Sequence, residues 1–217
     1  MIVKVCGMRD AANIRAVEAL GIHWMGFIFW PGSSRFVSKF PAYLPVHSKR
    51  VGVFVDAGIE EVVRQAEAYR LNLIQLHGNE SPDEVALLRT TLSDRGIPVA
   101  IIKAFCVKSP ADIAAHRAYD GLADYYLFDT RKFSGETGDR QLPGGTGQQF
   151  DWSLLDAYCG NTPFLLSGGI GPYDAQRIRL FRHPQCVGID LNSRFETAPG
   201  LKDLASLRCF LTQLTQN

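Results

Sequence analysis

Eight short runs rich in β-branched and aromatic residues, alternating with helix-period stretches, predict an α/β chain folded as a single (β/α)8 TIM barrel. The links between runs are short, and 217 residues suit one barrel of eight units. The competing doubly wound open sheet would carry G-x-G-x-x-G after its first strand, where this chain reads Cys6-Gly7-Met8-Arg9-Asp10. One domain over residues 1–217 is expected, with no internal linker and no fused second domain.

In order, the strand runs are IVKVC (2–6), WMGFIF (24–29), RVGVFV (50–55), NLIQLH (72–77), VAIIKAF (99–105), DYYLFD (124–129), FLLSG (164–168) and CVGIDL (186–191). After the first, Ile14, Val17, Ala19 and Leu20 recur at helical spacing; after the third, Val62, Val63, Ala66 and Tyr69 do the same. Further helices are expected over 82–93, 110–118, 152–158, 173–180 and 201–214. The segment after the second run, 31–48, is rich in Pro and Ser, so its helix is expected to be short or irregular. The sixth connection, 130–150, is long and patternless, which reads as a functional lid or a disordered segment.

Composition excludes several classes. The chain is 46% apolar and 21% charged, ordinary for a soluble fold with a real core. Net charge is +1 and there is no Lys/Arg run, so no nucleic-acid partner is expected. No stretch of 18 apolar residues suggests a membrane span, and the N-terminus opens directly on a strand pattern without leader features. The expected setting is cytoplasmic. Five scattered cysteines without C-x-x-C argue against a disulfide framework or a zinc site, and no metal or cofactor is expected. Asn79-Glu80-Ser81 matches a glycosylation acceptor, read here as chance.

Barrel active sites lie at the C-terminal strand ends. Those ends present Cys6, the loop holding Arg35, Gln75 with His77, Lys103, Asp129, Ser167-Gly168-Gly169, and Asp190 with Asn192-Ser193. Side chains alternate along a strand, so Lys4 and Cys6 share one face and Val3 and Val5 the other. Each polar residue alone reads as core or turn; their convergence on one end is what packing does not explain. Lys4 sits one inward step below Cys6 and either supplies a cation to it or pairs with Asp190 on the eighth strand, and both can hold together. SGGIG (167–171) closes the seventh run before a helical stretch expected near Pro172, and Ser193 follows the eighth. That combination reads as an anion site of backbone N–H groups, or as turn geometry alone.

With these motifs in hand, the chain resembles the phosphoribosylanthranilate isomerase family of tryptophan biosynthesis. The matching stretches are KVCGM (4–8), GFIFWPGSSRFV (26–37), VGVFVD (51–56), IQLHG (74–78), FDT (128–130), GGTGQQFDW (144–152), LLSGGI (165–170) and APGLKD (198–203). It departs after the eighth strand, where Arg194 replaces the family's glycine, and its sixth loop is longer through Thr137–Gly144.

The resemblance implies an Amadori rearrangement of N-(5-phosphoribosyl)anthranilate, with Asp129 as general acid and Cys6 as general base. The acid must be protonated near neutral pH and the base a thiolate. Arg35 becomes the clamp on the anthranilate carboxylate, against the plain reading of a solvent-facing loop arginine. His77 either lines the site or satisfies a buried hydrogen bond. Gly168, Gly169, Ser193 and Asp190 are the remaining expected contacts to a small phosphosugar, and a monomer or weak dimer is expected. The competing readings are another phosphosugar barrel, or a non-catalytic phosphate-sensing barrel that has lost its chemistry.

Overall fold

The structure is a computed structural model and describes residues 1–130 and 151–216. Strands β1 (Ile2–Val5), β2 (Trp24–Ile28), β3 (Lys49–Phe54), β4 (Leu73–Leu76), β5 (Ala100–Cys106), β6 (Tyr125–Asp129), β7 (Phe164–Leu166) and β8 (Cys186–Leu191) form a closed parallel barrel in chain order, β8 returning to β1. Around it lie helices α1 (Ala11–Glu18), α2 (Ile59–Ala68), α3 (Pro82–Asp94), α4 (Pro110–Ala114), α5 (Ala175–Leu180) and α6 (Leu204–Thr215). Among the described residues no helix is long and apolar enough to cross a membrane.

Strand register carries one alternating set of residues round the inside. Lys4 lies level with Trp24 and Asp190, Val51 with Gly26 and Leu73, Ile102 with Gln75 and Tyr125, and Leu127 with Ala104 and Leu165. Trp24, Val51, Leu73, Ile102, Leu127 and Leu165 pack as an apolar floor inside the barrel. The opposite set, including Val5, Phe27, Ile74 and Phe128, joins the core between strands and helices. This parity overturns one expectation. Lys103 faces outward, because its neighbours Ile102 and Ala104 take the inward positions. Its Nζ bonds Glu80 Oε2 and Gly78 O, each at 2.9 Å, beneath the loop after β4.

Local signals account for the helix ends. Ser81 and Glu84 form a capping box around Pro82 at the start of α3, and Asp10 caps α1 by accepting from Asn13 N at 2.8 Å. Between β2 and β3 there is no helix. The loop is held instead by buried Glu18, which accepts from Tyr43 Oη (2.5 Å), His47 N (2.6 Å) and Ser48 N (3.0 Å). The expected helix at 152–158 is a 3₁₀ turn, Trp152–Ala157, and the one expected from 110 to 118 gives way to 3₁₀ geometry after Ala114. α5 begins at Ala175 rather than near Pro172. The last helix also starts later than expected. Pro199-Gly200, with Gly200 at φ +81, turns the chain into a small hairpin of β9 (Glu196–Ala198) and β10 (Leu201–Lys202) before Asp203 caps α6.

Candidate active site

At the C-terminal mouth the inward set becomes polar. Cys6, Gln75, His77, Asp129, Ser167 and Asp190 line one cavity, and the loops above them add Arg35, Gly168, Gly169, Asn192, Ser193 and Arg194. All eight residues expected from the sequence to contact substrate or perform chemistry border this one space.

Cys6 sits just beyond β1 and is buried. Gly26 on neighbouring β2 makes room for it: a Cβ there would lie 2.6 Å from the Cys6 sulfur. Directly below, the fully buried Lys4 donates to Asp190 Oδ1 at 2.9 Å, while Ser167 Oγ stands 3.5 Å from Asp190 Oδ2. Burial opposes the Lys4 charge, yet Asp190 and Cys6 together outweigh it and hold the ammonium above its ordinary range. The Lys4 charge reaches Cys6 as well, so the two fates open to Lys4 coexist. The thiol itself behaves differently from expectation. Burial pushes Cys6 up, Lys4 and Lys202 draw it down, and Asp190 adds to the rise. Burial prevails, so the site favours the neutral thiol.

Asp129 ends β6 with its two oxygens in different settings. Oδ1 accepts from Thr130 N at 2.6 Å, and Oδ2 lies 3.6 Å from His77 Nε2. The Gln75 amide nitrogen is 2.7 Å from His77 Nδ1; with the amide donating there, the ring proton sits on Nε2 facing Asp129. His77 thus both lines the cavity and shares a buried hydrogen bond with Gln75, with its Nε2 edge turned toward Asp129.

The wall opposite is a cluster that sequence reasoning missed. Arg35 donates through Nε and Nη2 to Glu196 at 2.6–2.9 Å, and Lys202 Nζ reaches the same carboxylate at 2.6 Å. Lys202 also donates to Asn192 Oδ1 at 2.9 Å. Burial resists ionisation of Glu196, but the Arg35 bonds and the Lys202 charge hold it below the usual carboxylate range. One edge of the Arg35 fork is therefore engaged within the protein. Gly7, at φ +79, admits this arrangement, since a Cβ there would lie 2.7 Å from Arg35 Cδ. The one signal for this cluster in the sequence is APGLKD, which holds Lys202 and stands there as a matching family stretch without a site role.

On the far side, Gly168 (φ +88) and Gly169 (φ +69) form a left-handed turn, and a Cβ on Gly168 would press to 2.8 Å from Thr130 N. Ser193 opens a 3₁₀ turn, Ser193–Phe195, directly after β8, and the exposed Arg194 stands at the cavity rim. The glycine cluster 144–147 lies outside the described residues. An acid, a thiol, a guanidinium and a glycine turn facing one cavity suit proton transfers on an anionic sugar derivative.

Comparison with known proteins decides the family. The model for N-(5'-phosphoribosyl)anthranilate (PRA) isomerase matches residues 3–213. The chain belongs to this family. An N-(5'-phosphoribosyl)anthranilate isomerase from Parabacteroides distasonis is 49% identical, the match covering 99% of this chain and 93% of the relative. One from Phocaeicola vulgatus is 46% identical over 100% of this chain and 98% of its own. Among solved structures, the phosphoribosyl anthranilate isomerase from Thermus thermophilus superposes with TM-score 0.77 at 29% identity, covering 99% of this chain and 98% of that one. A further PRA isomerase structure, holding reduced 1-(o-carboxyphenylamino)-1-deoxyribulose 5-phosphate, gives TM-score 0.73 at 27% identity over 99% and 98%. As a PRA isomerase family member the chain is an enzyme, an intramolecular aldose–ketose isomerase of tryptophan biosynthesis.

Proposed function

We propose that this chain converts N-(5-phosphoribosyl)anthranilate into 1-(2-carboxyphenylamino)-1-deoxyribulose 5-phosphate, with Asp129 as general acid and Cys6 as general base. The observation that carries the assignment is the shared inward parity of the two residues at the ends of β1 and β6, facing one cavity. The protonated Asp129 donates to the furanose ring oxygen from Oδ2, since Oδ1 is held by Thr130 N–H. The C1–O bond breaks and leaves an iminium to the anthranilate nitrogen. Cys6, acting from the minor thiolate form that Lys4 and Lys202 favour, then removes the C2 proton and the electron pair neutralises the iminium, giving an enolamine. Return of that proton to C1 restores the thiolate, and loss of the enol proton to Asp129 restores the acid. Every proton is accounted for within the site.

The remaining contacts follow from the same reading. His77 orients Asp129 through Nε2, and Gln75 sets its tautomer. Asp190 acts beneath the substrate by holding Lys4. Arg35, anchored to Glu196 through Nε and Nη2, turns Nη1 to the anthranilate carboxylate. The phosphate rests on backbone N–H groups around Gly168, Gly169 and Ser193, with Arg194 adding charge from the rim. A monomer or weak dimer working in the cytoplasm completes the reading.

The test is turnover. Freshly made phosphoribosylanthranilate is fluorescent, and purified protein should accelerate the decay of that signal beyond the spontaneous rate. Decay no faster than the protein-free control would favour a barrel that binds phosphate without chemistry.

A further inference from the structure

Among the described residues, five charged side chains crowd the Cys6 side of the cavity: Lys4, Asp190, Arg35, Glu196 and Lys202. Lys4 is matched by Asp190, but Glu196 alone serves both Arg35 and Lys202. Three cations therefore stand against two carboxylates, and the excess is one positive charge. The Lys202 side chain has no solvent exposure, so water screens that charge poorly. An ionised Cys6 would bring the group to neutrality. We propose that Lys202 is a positioning residue with two effects: through Glu196 it fixes Arg35 at the cavity wall, and it supplies the odd positive charge that a Cys6 thiolate balances.

The anatomy of the hairpin supports this. β9 and β10 bring Glu196 and Lys202 together, and Lys202 also grips Asn192, which follows β8 at the cavity edge. A lysine kept only to close a hairpin would not need to reach three polar atoms beside the reacting thiol. Its charge favours the Cys6 thiolate, and the thiolate in turn favours the Lys202 ammonium against its burial. Among the described residues, the other charged or titratable groups facing Cys6 or its cavity are Lys4 on β1, Asp190 on β8, Arg35 after β2, His77 and Asp129 across the cavity, and Arg194 at its rim. None of these is altered in the variants below.

The proposal deepens the roles proposed above for Arg35 and Cys6, so its readout is chosen to stand apart from them. The rate of Cys6 alkylation by iodoacetamide follows the thiolate fraction whatever the thiol does in catalysis. It is measured against pH by mass spectrometry of the Cys6 peptide, in the wild type, Lys202→Met, Lys202→Arg and Glu196→Gln. Removing the cation should raise the pH of half-maximal alkylation by about 1 unit, a tenfold slower reaction at neutral pH. Glu196→Gln should move it the opposite way and raise KM severalfold as Arg35 loosens, while Lys202→Arg should stay near the wild type. An unmoved midpoint in folded Lys202→Met, or a shift of the same sign in Lys202→Met and Glu196→Gln, overturns the proposal. Should Lys202→Met not fold, Glu196→Gln decides alone, a downward midpoint supporting it and an unmoved one overturning it. Full turnover by Cys6→Ser would instead remove the base assignment and leave the charge relation standing.

Discussion

Gly26→Ala puts pressure on the reacting sulfur without touching a polar group. Gly26 is an inward residue of β2, level with Val51, and its missing side chain is the space that Cys6 occupies. An added Cβ would stand 2.6 Å from Cys6 Sγ, 3.1 Å from its Cα and 3.2 Å from its Cβ. Reaching ordinary van der Waals separation requires the sulfur to move by about 1 Å, and the nearby Cα blocks relief by a simple rotamer change. Overpacking of this kind costs about 1–3 kcal/mol of stability. A misplacement of about 1 Å at a reacting atom costs on the order of 10²-fold in rate. The expected variant is therefore folded, modestly destabilised in urea, and about 10²-fold slower in kcat, with KM little changed because the phosphate and carboxylate contacts lie elsewhere. Steady-state kinetics beside a urea melt separate the two effects. A Gly26→Ala protein with wild-type kcat would refute the claim that the sulfur must sit where β2 leaves room for it.

Asp129→Asn should lose about 10²-fold or more in kcat, since an amide cannot deliver the proton that opens the ring; full activity by the fluorescence assay would mean another acid does so. Gly169→Val should weaken binding of a product analogue but not of its dephosphorylated form, because Gly169 holds φ +69, a left-handed conformation that a β-branched residue resists. Isothermal titration with both analogues measures this, and equal wild-type affinities would move the phosphate elsewhere, with 144–147 the next candidate. Glu196 is held below its ordinary carboxylate range, so its stabilising effect is present above that range and is lost as pH falls through it. The Tm gap between wild type and Glu196→Gln should accordingly narrow between pH 6 and about pH 3; a gap independent of pH would deny the ion cluster a role in stability.

Period-two alternation made the barrel and much of its site legible. In IVKVC the polar residues fall on one parity and the valines on the other, so the inward placement of Lys4 and Cys6 followed from strand geometry. The same logic failed at VAIIKAF, a run apolar on both faces, where nothing local tells which way Lys103 points. It points to Glu80, a residue on another loop, and only the folded register reveals that. The Arg35–Glu196 bond joins residues 161 positions apart, beyond any sequence window. Lys202 was hidden differently: helix-period reading carried the last helix back to 201, whereas Pro199-Gly200 reverses the chain and makes Lys202 part of a hairpin. The glycine turn at 168–169 and Ser193 were readable because positive φ and the barrel's seventh and eighth loops have strong local and topological signals. The long sixth connection, 130–150, falls almost wholly outside the described residues.

In the proposed mechanism Cys6 takes the C2 proton in a site otherwise built to hold the substrate. Single-turnover kinetics of Cys6→Ser, paired with titration of a product analogue into the same variant, tests it most directly. The expected result is unchanged analogue affinity, an unchanged fold by circular dichroism, and a chemical step slowed by about 10²-fold or more, because a hydroxyl is a far weaker base than a thiolate. A chemical step near the wild-type rate, with affinity intact, would contradict it.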